Sequence, residues 1–203
     1  MDASKISTCT EMFTKNNLGQ VLAILDDIQL KYFDCAWRLL DGLTISSVKD
    51  ELSRSPVKLC AVMGGGDFGV NDESVQEQFR QVGNQIKVAS ALNAKIVRIF
   101  ASLIPAQYAT DETIRRVIAN LRKLTRMAED AGVTLALENE FGITSKGEQI
   151  AHIVDIIGSP NLGVNLDPAN FVVSKEAPAR AIGMLGHRVV HTHLKDCIYT
   201  GAG

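Results

Sequence analysis

The 203-residue chain contains no run of basic residues longer than a pair, and its formal net charge is −2. That balance argues against nucleic acid or an anionic membrane surface as a partner. No apolar stretch approaches the ~18 residues of a membrane span. The start, Met1-Asp2-Ala3-Ser4-Lys5, lacks the basic segment and apolar core of an export signal, so a cytoplasmic location is the expectation. Cysteine is sparse: Cys9, Cys35, Cys60 and Cys197 lie far apart and form no Cys-x-x-Cys pair. Reduced thiols are therefore expected, in place of disulfides or a zinc knot. Linkers and low-complexity tracts are also missing, so residues 1–203 read as a single domain. With 46% hydrophobic and 22% charged residues, the composition is that of an ordinary soluble globular protein with enough chain to bury a core.

What the sequence does contain is a strand–helix alternation repeated seven times. Apolar or β-branched runs occur at 5–9, 32–37, 58–63, 95–101, 133–138, 162–167 and 189–193. Helical patterns separate them: Leu18, Val21, Leu22, Leu25 and Ile28 recur at three- to four-residue spacing, as do Val75, Phe79, Val82, Ile86 and Ala89. Ile114, Val117, Ile118, Leu121 and Leu124 make the clearest such face. Shorter helices are expected around Ile45–Leu52 and Ala177–Leu185, and Ser145 with Glu148 reads as a capping box ahead of Ile150, Ile153, Val154 and Ile157. Parallel strands need crossover helices, so the alternation predicts a parallel sheet and an α/β fold of the TIM (β/α)8 barrel type. About seven units are present. The stub Cys197–Gly203 leaves the pattern one unit short of eight, so the domain is expected to be C-terminally incomplete.

Three strand ends carry the chemistry. Glu138 finishes the run Val133–Leu137, Asp167 follows Leu162–Leu166, and His191 and His193 follow Val189–Val190. The spacings, 29 residues from Glu138 to Asp167 and 26 from there to His193, each fit one helix, one strand and two loops. In such barrels the carboxyl ends of the strands converge on one mouth, and two carboxylates with an imidazole suit a divalent ion. Each residue also has a plainer reading. Glu138 could be a solvated loop residue, although an unpaired carboxylate ending an apolar strand is costly to bury. Asp167, in Leu166-Asp167-Pro168-Ala169-Asn170, could simply start a turn. Asn170 could orient a ligand or satisfy loop backbone.

His191, His193 and Lys195 alternate, which puts all three on one face if the strand continues. Asp196 could accept from an imidazole N–H or cap a helix. Glu140 follows Glu138 by two residues and reads as a loop residue beside the site. Trp37 could line a pocket wall or sit in the core, and Arg98 could face the interior or pair with a carboxylate. His152 lies on a helix and His187 in a loop, both expected at the surface. Gly64-Gly65-Gly66 lacks the Lys-Ser/Thr of a phosphate-cradling loop and reads as a mobile mouth loop.

These motifs, Leu-Glu-Asn at 137–139, Leu-Asp-Pro-Ala-Asn at 166–170 and His-Thr-His-Leu-Lys-Asp at 191–196, resemble the xylose isomerase-like TIM barrels, a group of sugar (phosphate) isomerases and epimerases, inosose dehydratases and endonuclease-IV-type nucleases. The resemblance spans essentially the whole chain. It implies one divalent ion (Mn, Mg, Co or Zn) held by Glu138, Asp167 and His193. A second Glu, which normally follows the eighth strand, has no counterpart in this sequence. Asn170 stands where many relatives have His, and Trp37 where many carry Glu.

The implied activity is isomerisation or epimerisation of a sugar, polyol or sugar phosphate through an enediolate. Glu138 would serve as an acid–base group, and His191, Lys195, Asn170, Glu140 and Trp37 would contact substrate. The alternatives are a dehydratase or lyase using the same metal site, and a catalytically inactive truncated barrel. An endonuclease-IV-type nuclease needs a histidine-rich zinc cluster and a basic surface, which four histidines and a charge of −2 do not provide. The expected partner is a small sugar or sugar phosphate, with a homo-oligomer left open.

Overall fold

Seven short strands alternate with helices through residues 6–140 and 142–196, the residues described by this computed structural model. The strands are β1 (Thr8–Cys9), β2 (Tyr32–Ala36), β3 (Lys58–Met63), β4 (Ile96–Ile99), β5 (Thr134–Glu138), β6 (Leu162–Leu166) and β7 (Val189–Thr192). They pair in sequence order, all parallel, in one sheet. Each of β2 to β7 follows a helix, or for β7 a pair, that crosses back over the sheet: α1 (Leu18–Asp27), α2 (Ile45–Ser53), α3 (Asp72–Ala91), α4 (Asp111–Ala131), α5 (Gly147–Ile157) and the pair α6 (Pro168–Val173) and α7 (Pro178–Leu185). Among the described residues no backbone pairing joins β1 to β7. The fold is thus a TIM-type barrel of seven strands, open between its first and last. The stub 197–203, including Cys197, lies outside the described residues, as does the start of the 5–9 run.

The core lies between sheet and helices. Leu135 and Leu137 of β5 are fully buried, as are Val117, Leu121, Leu124 and Ala128 along one face of α4. That face carries the three- and four-residue spacing visible in the sequence. Thr110 caps α4 by accepting from Thr113 N at 3.2 Å, and Gly132 ends it in the left-handed conformation (φ +66°) that glycine adopts without a Cβ clash. Cys9, Cys35 and Cys60 are free thiols, and burial pushes Cys35 up to about 12, which makes it inert.

Three local readings need correction. The cap of α5 is Lys146, whose backbone N donates to Gln149 Oε1 at 3.2 Å, so the Ser145–Glu148 box does not form. Asp167-Pro168 opens a helix as well as a turn: α6 starts there, with proline at its first position, where no N–H is needed. The Gly64–Gly66 segment is not a loose flap. Gly64 is buried, and a Cβ on it would lie 2.8 Å from the Arg98 carbonyl oxygen. Gly66 has φ +125°, a conformation that favours glycine. Close approach of β3 to β4 accounts for Gly64 and the positive φ for Gly66, while a Cβ on Gly65 would meet nothing within 4 Å.

Candidate metal centre

Sheet register gathers the polar side chains on one face at the open end of the barrel. Glu138 pairs in register with Asn165, and Asn165 with His191, while Arg98 registers with Ala136, two residues before Glu138. Register partners share a face and side chains alternate along a strand, so Arg98, Glu138, Asn165 and His191 all point inward. Two residues past His191, His193 follows the same face, its backbone N still donating to Leu166 O at 3.0 Å.

His193 is the hub. Its Nδ1 lies 2.9 Å from Glu138 Oε1 and 3.0 Å from Asn165 Nδ2, while its Nε2 is buried without a hydrogen-bond partner, 3.9 Å from Asp34 Oδ2. Glu138 is 6% exposed and also meets Arg98, whose Nε lies 3.2 Å from Oε2, a charge contact without hydrogen-bond alignment. Arg98 in turn donates to Glu11 Oε1 at 2.5 Å and lies 4.2 Å over the Phe100 ring. Burial alone would raise the Glu138 carboxyl pKa. The His193 contact and the positive charges of Arg98 and Lys195 outweigh it and hold the pKa below the usual range. Glu140 shifts the other way, raised first by burial and then by the charge of Glu138.

Asp167 is 1% exposed and has two jobs. Its Oδ1 accepts from the backbone N of Ala169 (3.0 Å) and of Asn170 (3.4 Å), capping α6, while Oδ2 meets the Lys195 ammonium at 2.9 Å. The turn-starting role and the site role therefore coexist in one carboxylate. Asn170 accepts from Lys195 Nζ at 2.8 Å and so holds the ammonium from the other side.

Glu138, Asp167 and His193 each present a ligand atom within 4.8 Å of the other two. The His193 Nδ1 beside Glu138, the two buried carboxylates and the borderline chemistry of an O/O/N donor set all fit a divalent ion. These residues border a cavity of about 320 Å³ that Glu140, Arg98 and Lys195 also line.

Trp37 does not belong to this mouth. β2 ends at Ala36, and the turn Trp37–Leu39 that follows sends the indole toward Leu40, Val48, Asn84 and Val88, where it lines a separate crevice. The structure therefore does not bring Trp37 together with Glu138, Asp167 and His193. His191 comes to the site's edge, its Nε2 donating to Asp34 Oδ2 at 2.8 Å. His152 and His187 are exposed, as expected.

Sequence reasoning passed over Asp34, Asn139 and Asn165. Asp34 is buried in the middle of β2, and a carboxylate inside the apolar run Tyr32–Ala36 was itself a signal, since a buried charge needs a partner. Asn139 and Asn165, both fully buried, carried the same kind of signal.

Residues 17–202 match the family described as xylose isomerase-like TIM barrel. Among curated proteins, the 3-oxo-isoapionate decarboxylase of Pectobacterium atrosepticum is 32% identical over 111 residues, 55% of this chain and 38% of that protein. The D-psicose 3-epimerase of Enterocloster bolteae is 33% identical over 85 residues, 40% of this chain and 28% of that protein. The matched stretches thus span well under half the length of either relative. Among solved structures, the IolI protein with a bound zinc atom superposes with a TM-score of 0.79 at 18% identity, covering 94% of this chain and 73% of that one.

Proposed function

Because the chain belongs to the xylose isomerase-like TIM barrel family, we propose that it is a divalent-metal-dependent isomerase or epimerase of a sugar, polyol or sugar phosphate, located in the cytoplasm, and that residues 1–203 lie in one barrel domain. The observation that carries this reading is the convergence of Glu138, Asp167 and His193 within 4.8 Å at three successive strand ends. These three residues would hold the ion, and the zinc atom bound by the structurally similar IolI protein supports a metal in this reading. When bound, the ion supplies Lewis acidity, polarising a carbonyl and neighbouring hydroxyl so that the C–H between them becomes acidic.

The protein's own side chains do the rest. Glu138, held ionised by His193 and Arg98, is placed to take a proton from that carbon. Lys195, half-exposed at the rim with Asn170 beside it, is placed to meet a substrate oxygen or phosphate. Glu140 is a further carboxyl in the cavity, and its raised pKa suits a group that hands a proton back. His191 sits behind this set and acts on it through Asp34.

A second reading, a lyase of the decarboxylase or dehydratase kind, is favoured by the 32% identity to the decarboxylase. Both chemistries leave electrons on a carbon beside a carbonyl, and the same site would stabilise them. Incubation with Mn2+ and a panel of ketoses, ketose phosphates and keto-sugar acids in D2O distinguishes them. Deuterium entering next to the carbonyl without loss of carbon or water supports the isomerase reading. Release of CO2 or water supports the lyase. Neither, in a folded and metal-loaded protein, contradicts both.

A further inference from the structure

The mouth carries a second set of metal-competent side chains, which shares His193 with the first and adds two, Asp34 and His191, that are not ion ligands in the proposed reaction. Asp34, His191 and His193 each present a ligand atom within 4.8 Å of the other two. Two of the separations are known atom by atom: His191 Nε2 to Asp34 Oδ2 is 2.8 Å, and His193 Nε2 to the same oxygen is 3.9 Å. Ligand atoms around a tetrahedral ion with bonds of about 2.1 Å sit about 3.4 Å apart, so the two distances bracket what such an ion requires. Small side-chain adjustments suffice.

An independent observation points the same way. The Asp34 side chain is 3% exposed, yet its Oδ1 is buried with no hydrogen-bond partner, and so is His193 Nε2. Buried polar atoms are normally satisfied, and two orphans in one cluster call for an explanation. Charge supplies a third argument. The cavity is lined by five carboxylates (Glu11, Asp34, Glu138, Glu140 and Asp167) against two fixed cations, Arg98 and Lys195.

We infer that Asp34, His191 and His193 form a second divalent-cation site, on the β2–β7 side of the mouth, that shares His193 with the first. A neutral imidazole carries a lone pair on one nitrogen only. Through Nδ1, His193 serves the site with Glu138 and Asp167. Through Nε2, it serves the site with Asp34 and His191. The ring therefore commits to one ion at a time, and its tautomer records which. Two imidazoles and one carboxylate form a more nitrogen-rich donor set than two carboxylates and one imidazole. The second site accordingly favours Zn2+ or Co2+ over Mg2+. This inference does not depend on the isomerase reading.

The test is direct metal binding, with ZnCl2 followed by calorimetry and CoCl2 followed by the visible absorption of four-coordinate cobalt. In the doubly substituted Glu138→Gln, Asp167→Asn protein, which disables the first site, one ion should still bind. Adding Asp34→Asn should weaken that binding by at least about tenfold, as losing a ligand does at least as much as losing a supporting contact. If Asp34→Asn compromises folding, as judged by circular dichroism, His191→Ala in the same background makes the same comparison. Absence of any ion in the doubly substituted protein overturns the inference. So does an ion whose affinity and spectrum are unchanged by either further substitution. Deuterium exchange by the wild-type protein reports on the isomerase reading separately, so failure of one does not mimic failure of the other.

Discussion

Asn139 clamps the Asp167 peptide from both sides. Its Oδ1 accepts from Asp167 N at 2.8 Å and its Nδ2 donates to Asp167 O at 2.9 Å, all of it buried. It touches no candidate ligand atom, yet it fixes the strand end from which the Asp167 carboxylate projects. Asn139→Ala would leave a backbone N–H and a C=O unpaired, at about 1–3 kcal/mol each where buried. We expect a stability loss of roughly 2–4 kcal/mol in urea unfolding. A metal affinity about 10–100-fold weaker should accompany it, in the manner of other residues that brace a ligand. A stable protein with unchanged metal affinity would show that the clamp is incidental. Residues of this kind resist reading from sequence. An Asn after Glu138 looks like a loop residue until the neighbouring strand supplies the peptide that it grips.

At the scale of elements, the long periodic helices and the strand ends with Glu138, Asp167 and His193 were legible, and the short or irregular pieces were not. α4 spans Asp111–Ala131, and its buried stripe repeats often enough to outweigh any local ambiguity. α6 is six residues long, too short to show a period, and it hid behind Asp-Pro. Trp37 lies three residues from the inward-facing Asp34 and so falls out of phase with the mouth, and β2 has in any case ended at Ala36. Asp34 was visible as an oddity, but its partners lie on β7, 157 residues away along the chain.

The Gly64–Gly66 segment tests how tightly elements are joined near the site. Gly64→Ala forces a Cβ to 2.8 Å from the Arg98 carbonyl oxygen, whereas a Cβ on Gly65 meets nothing within 4 Å. We expect Gly64→Ala to cost about 1–3 kcal/mol by overpacking and Gly65→Ala to cost little. Equal, small losses for both would show that β3 and β4 yield freely at this point.

Across the whole molecule, the mouth is a concentration of negative charge at the open end of a seven-stranded parallel barrel. β1 and β7 do not pair, and the His191–Asp34 contact is a side-chain link between β7 and β2 across that opening. An ion held by Glu138, Asp167 and His193 would tie the ends of β5, β6 and β7 together and would be linked to folding. At a free concentration 100 times its Kd it stabilises by about 2.7 kcal/mol. For a domain of this size that raises Tm by roughly 5–10 °C. EDTA should reverse the shift. His193→Ala should abolish it, and His152→Ala, on the exposed face of α5, should preserve it. A Tm indifferent to metal in the wild type, or a shift retained by His193→Ala, would detach the ion from these residues.

Anomalous diffraction from crystals grown with Mn2+ tests the central claim most directly, because it locates the ion and its ligands together. We expect a single strong anomalous peak within about 2–2.3 Å of carboxylate oxygens of Glu138 and Asp167 and of a ring nitrogen of His193, with the Lys195 ammonium moved off Asp167. A well-ordered mouth with no peak between those three residues, or Mn2+ bound only elsewhere, would contradict it.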